Sequence, residues 1–146
     1  MARFNTPYYN HEGYPDPTAF GAFRNIDQQT RAAGRSPNYR PLVYICSPYA
    51  GDTIRNVLNA QRYSRMATER GYIPLAPHLL FPQFLNDSLE EERNLGLFMG
   101  LVLLTKCVEV WVFGAYISEG MDAEISKAKA RGMPIRCFTE NCEEAI

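Results

Sequence analysis

From Pro41 onward, apolar and polar positions fall into two alternating patterns. The runs "LVYICSPY", "YIPLAPH", "VEVWVFG" and "PIRCFT" are short, rich in β-branched and aromatic residues, and predict four strands. Between them lie longer stretches with helical spacing. "TIRNVLNAQRYSRMATERG" carries Ile54, Val57 and Leu58 on one predicted face and ends in glycine. "SLEEERNLGLFMGLVLLTK" opens with Ser88 as an expected cap and an acidic first turn, then runs into an apolar stretch that reads as a core helix. "SEGMDAEISKAKARG" predicts a third helix with an apolar stripe of Ile117, Met121, Ile125 and Ala128. The segment after Phe138 is too short to predict a fifth strand with conviction.

Strands alternating with helices require right-handed crossovers, hence a mostly parallel sheet with helices on both faces. Ligands in such sheets bind beyond the carboxyl ends of the strands. Three loops therefore matter: "CSPYAGD", "APHLLFPQFLND" and "GAYISEGMD".

Residues 1–40 form a different region, rich in Tyr, Phe, Pro, Gly, Asn and Gln, and read as an N-terminal extension to a domain at 41–146. Asp16, Pro17 and Gly34 sit where a helix would start and stop. The extension is either a partly ordered tail or an arm that docks on the domain or on a second subunit.

Composition narrows the partners. At 146 residues with a net charge of −1, the chain fits one domain with no broad cationic face for a nucleic acid polymer or an anionic membrane. The apolar run from Leu95 to Leu104 falls far short of the roughly 20 residues that a bilayer crossing needs. Cys46, Cys107, Cys137 and Cys142 lack zinc-ligand spacing, and no secretory leader is recognisable at the N-terminus, so no metal is expected and a cytoplasmic setting fits. Phosphate-loop, dinucleotide, zinc-protease and serine-elbow motifs are absent, and no cofactor is expected.

The candidate chemistry lies in "SEGMDAE". With Ser118 as N-cap and the helix starting at Glu119, the Glu124 carboxylate overlies the turn of Gly120 and Met121, because helical side chains lean toward the N-terminus. Gly120 leaves a small hollow there, beside backbone N–H groups at the positive end of the helix dipole. In that field the carboxylate is expected to stay ionised. Successive residues advance by about 100°, which puts Glu124 about 40° from Ala128, on the rim of the buried face. An exposed glutamate paired with Lys127 fits the same spacing.

Taken together, "YICSPYAGD", "PLAPHLLFPQFLND" and "EVWVFGAYISEGMDAEISKAKARG" resemble the nucleoside 2-deoxyribosyltransferase superfamily, above all its short bacterial and phage members of unassigned activity. The resemblance spans about Leu42 to Phe138. It implies a flavodoxin-like, Rossmann-like three-layer sandwich with a parallel sheet of four or five strands. Glu124 matches the glutamate that attacks the anomeric carbon of a deoxyribosyl group, giving a glycosyl-enzyme ester resolved by water or by a second base. Ser118 matches a position where enzymes acting on nucleosides tend to carry aspartate and the related nucleoside 5′-monophosphate N-glycosidases carry serine, which favours a 5′-monophosphate. It also serves equally well as a plain N-cap.

Ser47 matches a position that approaches the 5′ group, and Tyr49 an aromatic that stacks on the base or, alternatively, closes the core at a strand end. Gly51 permits a tight turn and Asp52 caps the next helix, both at the expected rim of the site. His78 is a candidate proton donor to the leaving base or a structural loop residue. Phe81 and Phe84 wall the base or fill the core. One departure stands out: Cys107-Val108-Glu109 replaces the Cys-Asp that often precedes the third strand. The partners implied are a small-molecule nucleoside or nucleotide and further copies of the chain, since a neighbouring subunit completes the pocket in the transferases. A non-catalytic nucleotide-binding module remains a second reading. Hydrolysis of a ribonucleotide or an NAD-like N-glycoside is a third.

Overall fold

The computed structural model describes residues 38–145. The chain divides into two units, Met1–Arg40 and Pro41–Ile146. The helix expected between Asp16 and Gly34 lies outside the described residues.

Five strands make one sheet: β1 (Leu42–Cys46), β2 (Ile73–Leu75), β3 (Glu109–Phe113), β4 (Ile135–Phe138) and β5 (Glu144–Ala145). Their order is β2-β1-β3-β4-β5, parallel except for β5, which returns antiparallel to β4. This is the doubly wound, flavodoxin-like order, and its switch point lies between β1 and β3. The short β5 is the strand that "CFTENCEEA" gave little reason to expect.

Period-two alternation assigns the strand residues to opposite faces. Val43, Ile45, Trp111, Phe113 and Phe138 pack on one side with Tyr63 and Ala67 of α1 (Thr53–Glu69). Tyr44, Cys46, Val110 and Val112 pack on the other with Leu104 of α2 (Glu90–Leu104) and with Met121 and Ala128 of α3 (Glu119–Ala130). The result is a helix, sheet and two-helix sandwich.

Two helices face differently from expectation. In α1 the buried residues are Ala60, Tyr63 and Ala67, whereas Ile54 and Leu58 are exposed. Two alanines let the helix approach the sheet closely, and Tyr63 stacks on Phe113 with ring centroids 4.0 Å apart, which outweighs the burial available to Ile54 and Leu58. In α2 only Gly100 and Leu104 are buried, and Leu95, Phe98 and Val102 stand exposed, so it is not the core helix its composition predicted. Its first turn also lacks the expected cap. Leu89 takes the N-cap position without a side-chain bond, while the Ser88 N–H donates to Asn86 Oδ1 at 3.0 Å.

The second strand is shorter than "YIPLAPH" implied. Pro77 and Pro82 cannot donate to a ladder, and the chain instead forms two 3-10 turns, Pro77–Leu79 and Phe81–Gln83. These turns carry the β2–α2 loop over the end of the sheet.

Candidate active site

β1, α2, α3 and the β2–α2 loop enclose a cavity of about 520 Å³ at the carboxyl ends of β1 and β3. Its volume lies in the range of small-molecule sites. Ser47, Tyr49, His78, Ser118, Gly120, Met121 and Glu124 all line it. Gly51 and Asp52 do not. Gly51 takes a left-handed backbone (φ 96°) in the turn before α1, and Asp52 Oδ1 accepts from the Arg55 N–H at 3.2 Å as the helix cap.

Ser118 caps α3 as expected, its Oγ accepting from the Met121 N–H at 3.2 Å. That start places Glu124 one turn before Ala128 and against the sheet, where it is only 6% exposed. Tyr44 meets it there: the phenol donates to Glu124 Oε1 at 2.7 Å. The Cys46 thiol lies on the same face and points a weak 3.9 Å contact at the Met121 carbonyl. An added Cβ at Gly120 would meet nothing within 4 Å, and Gly120 and Glu124 line the same cavity.

Burial pushes the Glu124 carboxyl up from its ordinary value, while the Tyr44 hydrogen bond and the neighbouring Cys46 thiol pull the other way. The expectation that the helix N-terminus keeps this acid comfortably ionised is therefore corrected: loss of solvent is the larger effect. Burial, reinforced by the Glu124 charge, also raises the Tyr44 phenol and the Cys46 thiol, which keeps both protonated.

Three buried polar atoms lining the cavity have no hydrogen-bond partner among the described residues: Ser47 Oγ, His78 Nε2 and Glu124 Oε2. Orphaned buried groups are costly, and all three belong to residues that line this one cavity. The His78 ring stacks on Tyr49 at 5.9 Å with a 17° interplanar angle. Burial lowers the His78 pKa from its ordinary value, against the opposing pull of a hydrogen bond with the Ser47 backbone and of the negative charge of Asp87. Neutral imidazole is a poor acid, so the arrangement favours a wall with Tyr49 over proton donation.

Side chains overlooked in the sequence complete the geometry. Tyr44 was legible only as a strand residue, although a tyrosine on a buried face needs a partner for its hydroxyl. Gly100 of α2 makes room for that hydroxyl, since a Cβ there would lie 3.2 Å from it. The Asn56 side chain donates to the Tyr49 and Ala50 carbonyls at 3.0 and 3.1 Å, and Glu92 Oε2 accepts from the Asn86 N–H at 2.8 Å. These three bonds fasten loops of the cavity wall. Phe81 lines the cavity, while Phe84 is exposed and packs edge-on against it with centroids 6.0 Å apart. Among the described residues, no cluster of His, Cys, Asp or Glu has the makings of a metal site, and no helix is long and apolar enough to cross a membrane.

A family model described as Domain of unknown function (DUF7768) matches residues 41–138. The chain belongs to this family. No curated protein matches it. Among solved structures, this member of the family is similar to the 2-deoxyribosyltransferase of the psychrotolerant bacterium Bacillus psychrosaccharolyticus, with 14% identity, a TM-score of 0.56, and coverage of 67% of this chain and 72% of that one. It is also similar to the 2-desoxiribosyltransferase of Leishmania mexicana, with 16% identity, a TM-score of 0.48, and coverage of 68% and 64%. At these identities the first likeness is one of fold: the DUF7768 domain shares the deoxyribosyltransferase architecture.

Proposed function

We propose that the domain cleaves or transfers at the N-glycosidic bond of a 2′-deoxynucleoside or its 5′-monophosphate. The observation that carries this reading is the buried Glu124 carboxylate, held through Oε1 by Tyr44 and with Oε2 unpartnered at the cavity. One oxygen is held by Tyr44 and the other has no partner among the described residues. Oε2 adds to the anomeric carbon as the bond to the base breaks, forming a glycosyl ester that water or an acceptor base then opens. Ser47, Tyr49, Ser118, Gly120 and Met121 contribute binding surface around it, with the α3 N-terminus favouring an anionic 5′ group. Gly51 and Asp52 shape the loop that carries Tyr49.

The decisive experiment is chromatography of a mixed deoxynucleoside and deoxynucleotide panel after incubation, with and without an added acceptor base. Free base is expected from at least one substrate and must vanish in Glu124→Ala. No release from any substrate would overturn the reading.

A specific observation also favours a non-catalytic nucleotide-binding module: a carboxyl raised by burial donates a hydrogen bond more readily than it attacks. Calorimetry separates the two, because an intact nucleotide recovered after long saturation supports the module. A cytoplasmic homo-oligomer belongs to the same proposal, supported by the exposed Leu95, Phe98 and Val102 on the helix whose Gly96, Leu97 and Gly100 wall the cavity. Light scattering of the wild type and of Phe98→Glu tests it.

A further inference from the structure

The cavity is far more acidic than a single nucleophile requires. Among its described lining residues, four carboxylates, Asp87, Glu92, Glu119 and Glu124, face one guanidinium, Arg93. No ion pair among the described residues involves Asp87, Glu119 or Glu124. Ser47 adds a second, independent sign of a ligand: it lines the cavity, is only 1% exposed, and its Oγ has no hydrogen-bond partner among the described residues. The Tyr49 ring, backed by His78, offers an aromatic platform in the same space.

Two candidate proton donors of the cavity are not available to a leaving base. The Tyr44 hydroxyl proton is committed to Glu124, and burial keeps the His78 imidazole neutral. A neutral base leaving from a sugar needs a proton, whereas a quaternised ring nitrogen does not. We propose that the substrate is an N-glycoside whose aglycone carries a permanent positive charge, of the pyridinium or N7-alkylpurine class, held by the cavity's carboxylates and the Tyr49 ring. This rests on the glycoside-cleavage reading above and deepens it.

The electron count closes without an added acid. Glu124 Oε2 forms a bond to the anomeric carbon, the C–N bonding pair passes to the ring nitrogen, and the positive charge of the heterocycle is cancelled as it leaves. Water then attacks the anomeric carbon of the ester, releasing the carboxylate and one proton to solvent. The bound cation also offsets the cost of a buried carboxylate, so that substrate and nucleophile favour each other's charged states. The aromatic platform adds cation–π attraction.

The test compares N7-methyl-2′-deoxyguanosine with 2′-deoxyguanosine, which differ by one methyl group and one charge, on the full-length protein. Base release is measured with each spontaneous rate subtracted, and binding by calorimetry on Glu124→Gln to prevent turnover. The expected result is a KM for the cation about tenfold or more below that of the neutral nucleoside, with a preference that shrinks in about 1 M salt and in Glu119→Gln. Equal KM values, or preference for the neutral nucleoside, overturn the inference and leave glycoside cleavage standing. Tighter binding of the cation to wild type without release of either base keeps the cation-selective pocket and overturns cleavage. Binding of neither overturns both.

Discussion

The Tyr44 hydroxyl donates a 2.7 Å hydrogen bond to Glu124 Oε1 across 80 residues of chain. It joins the middle of β1 to the second turn of α3 and leaves the other carboxylate oxygen, Oε2, without a partner among the described residues. Tyr44→Phe keeps the ring and removes the donor. Stability is expected to fall by about 1–3 kcal/mol, the cost of an unsatisfied buried acceptor. Because that hydrogen bond favours the carboxylate, its loss raises the Glu124 carboxyl further, and the acid limb of kcat/KM against pH moves to higher pH. An unmoved limb would show that Tyr44 only fills space.

Glu124→Gln separates stability from activity. Burial raises the native carboxyl above its ordinary 4.5, so the native state holds this proton more tightly than the unfolded chain. The associated stability is fully present below pH 4.5 and is lost as pH rises through the raised native value. The glutamine variant stays neutral throughout. It is expected to melt like wild type at low pH and to exceed it near neutrality by roughly 1–2 kcal/mol, while releasing no base. Denaturant unfolding at two pH values checks the first part and chromatography the second.

Two glycines predict opposite stability effects with one functional outcome. Gly120→Ala places a methyl where nothing lies within 4 Å, so the helix gains up to about 1 kcal/mol. The same methyl intrudes on the hollow beside Glu124, and kcat/KM is expected to fall roughly tenfold to a hundredfold. Gly100→Ala brings a Cβ to 3.2 Å from the Tyr44 hydroxyl, displacing it and lowering both stability and rate. Thermal melts and steady-state kinetics on the pair distinguish a filled pocket from a damaged core.

His78 makes a pH prediction of the other sign. Its native pKa lies below the ordinary 6.5, so the unfolded chain takes up the proton first on acidification. Its contribution to stability is complete above pH 6.5 and is lost as pH falls below that value. His78→Gln flattens this part of the stability profile. An NMR titration showing the imidazole titrating at or above 6.5 would contradict the burial that causes the shift.

The sheet was legible because strand and helix periods alternate cleanly, and because Ser118 and Asp52 are chemically obvious caps. Glu124 was legible as a position, since cap and helical pitch fix where its side chain points. Its neighbours were not. Tyr44 meets it only through the β1–β3 pairing, a long-range contact that leaves no local mark, and Gly100 matters only because that hydroxyl needs room. The faces of α1 and α2 were misjudged for a related reason. Hydrophobicity alone ranks Ile54 and Phe98 above Ala60 and Gly100, yet close approach to a sheet selects the small residues.

Asn56 and Glu92 each clamp the backbone of a loop bordering the cavity, at 3.0 and 2.8 Å. Walls fastened in advance surrender little freedom when a guest arrives. Selectivity here should accordingly be decided by what the guest sheds on entry, its hydration, and only slightly by any rearrangement of the host.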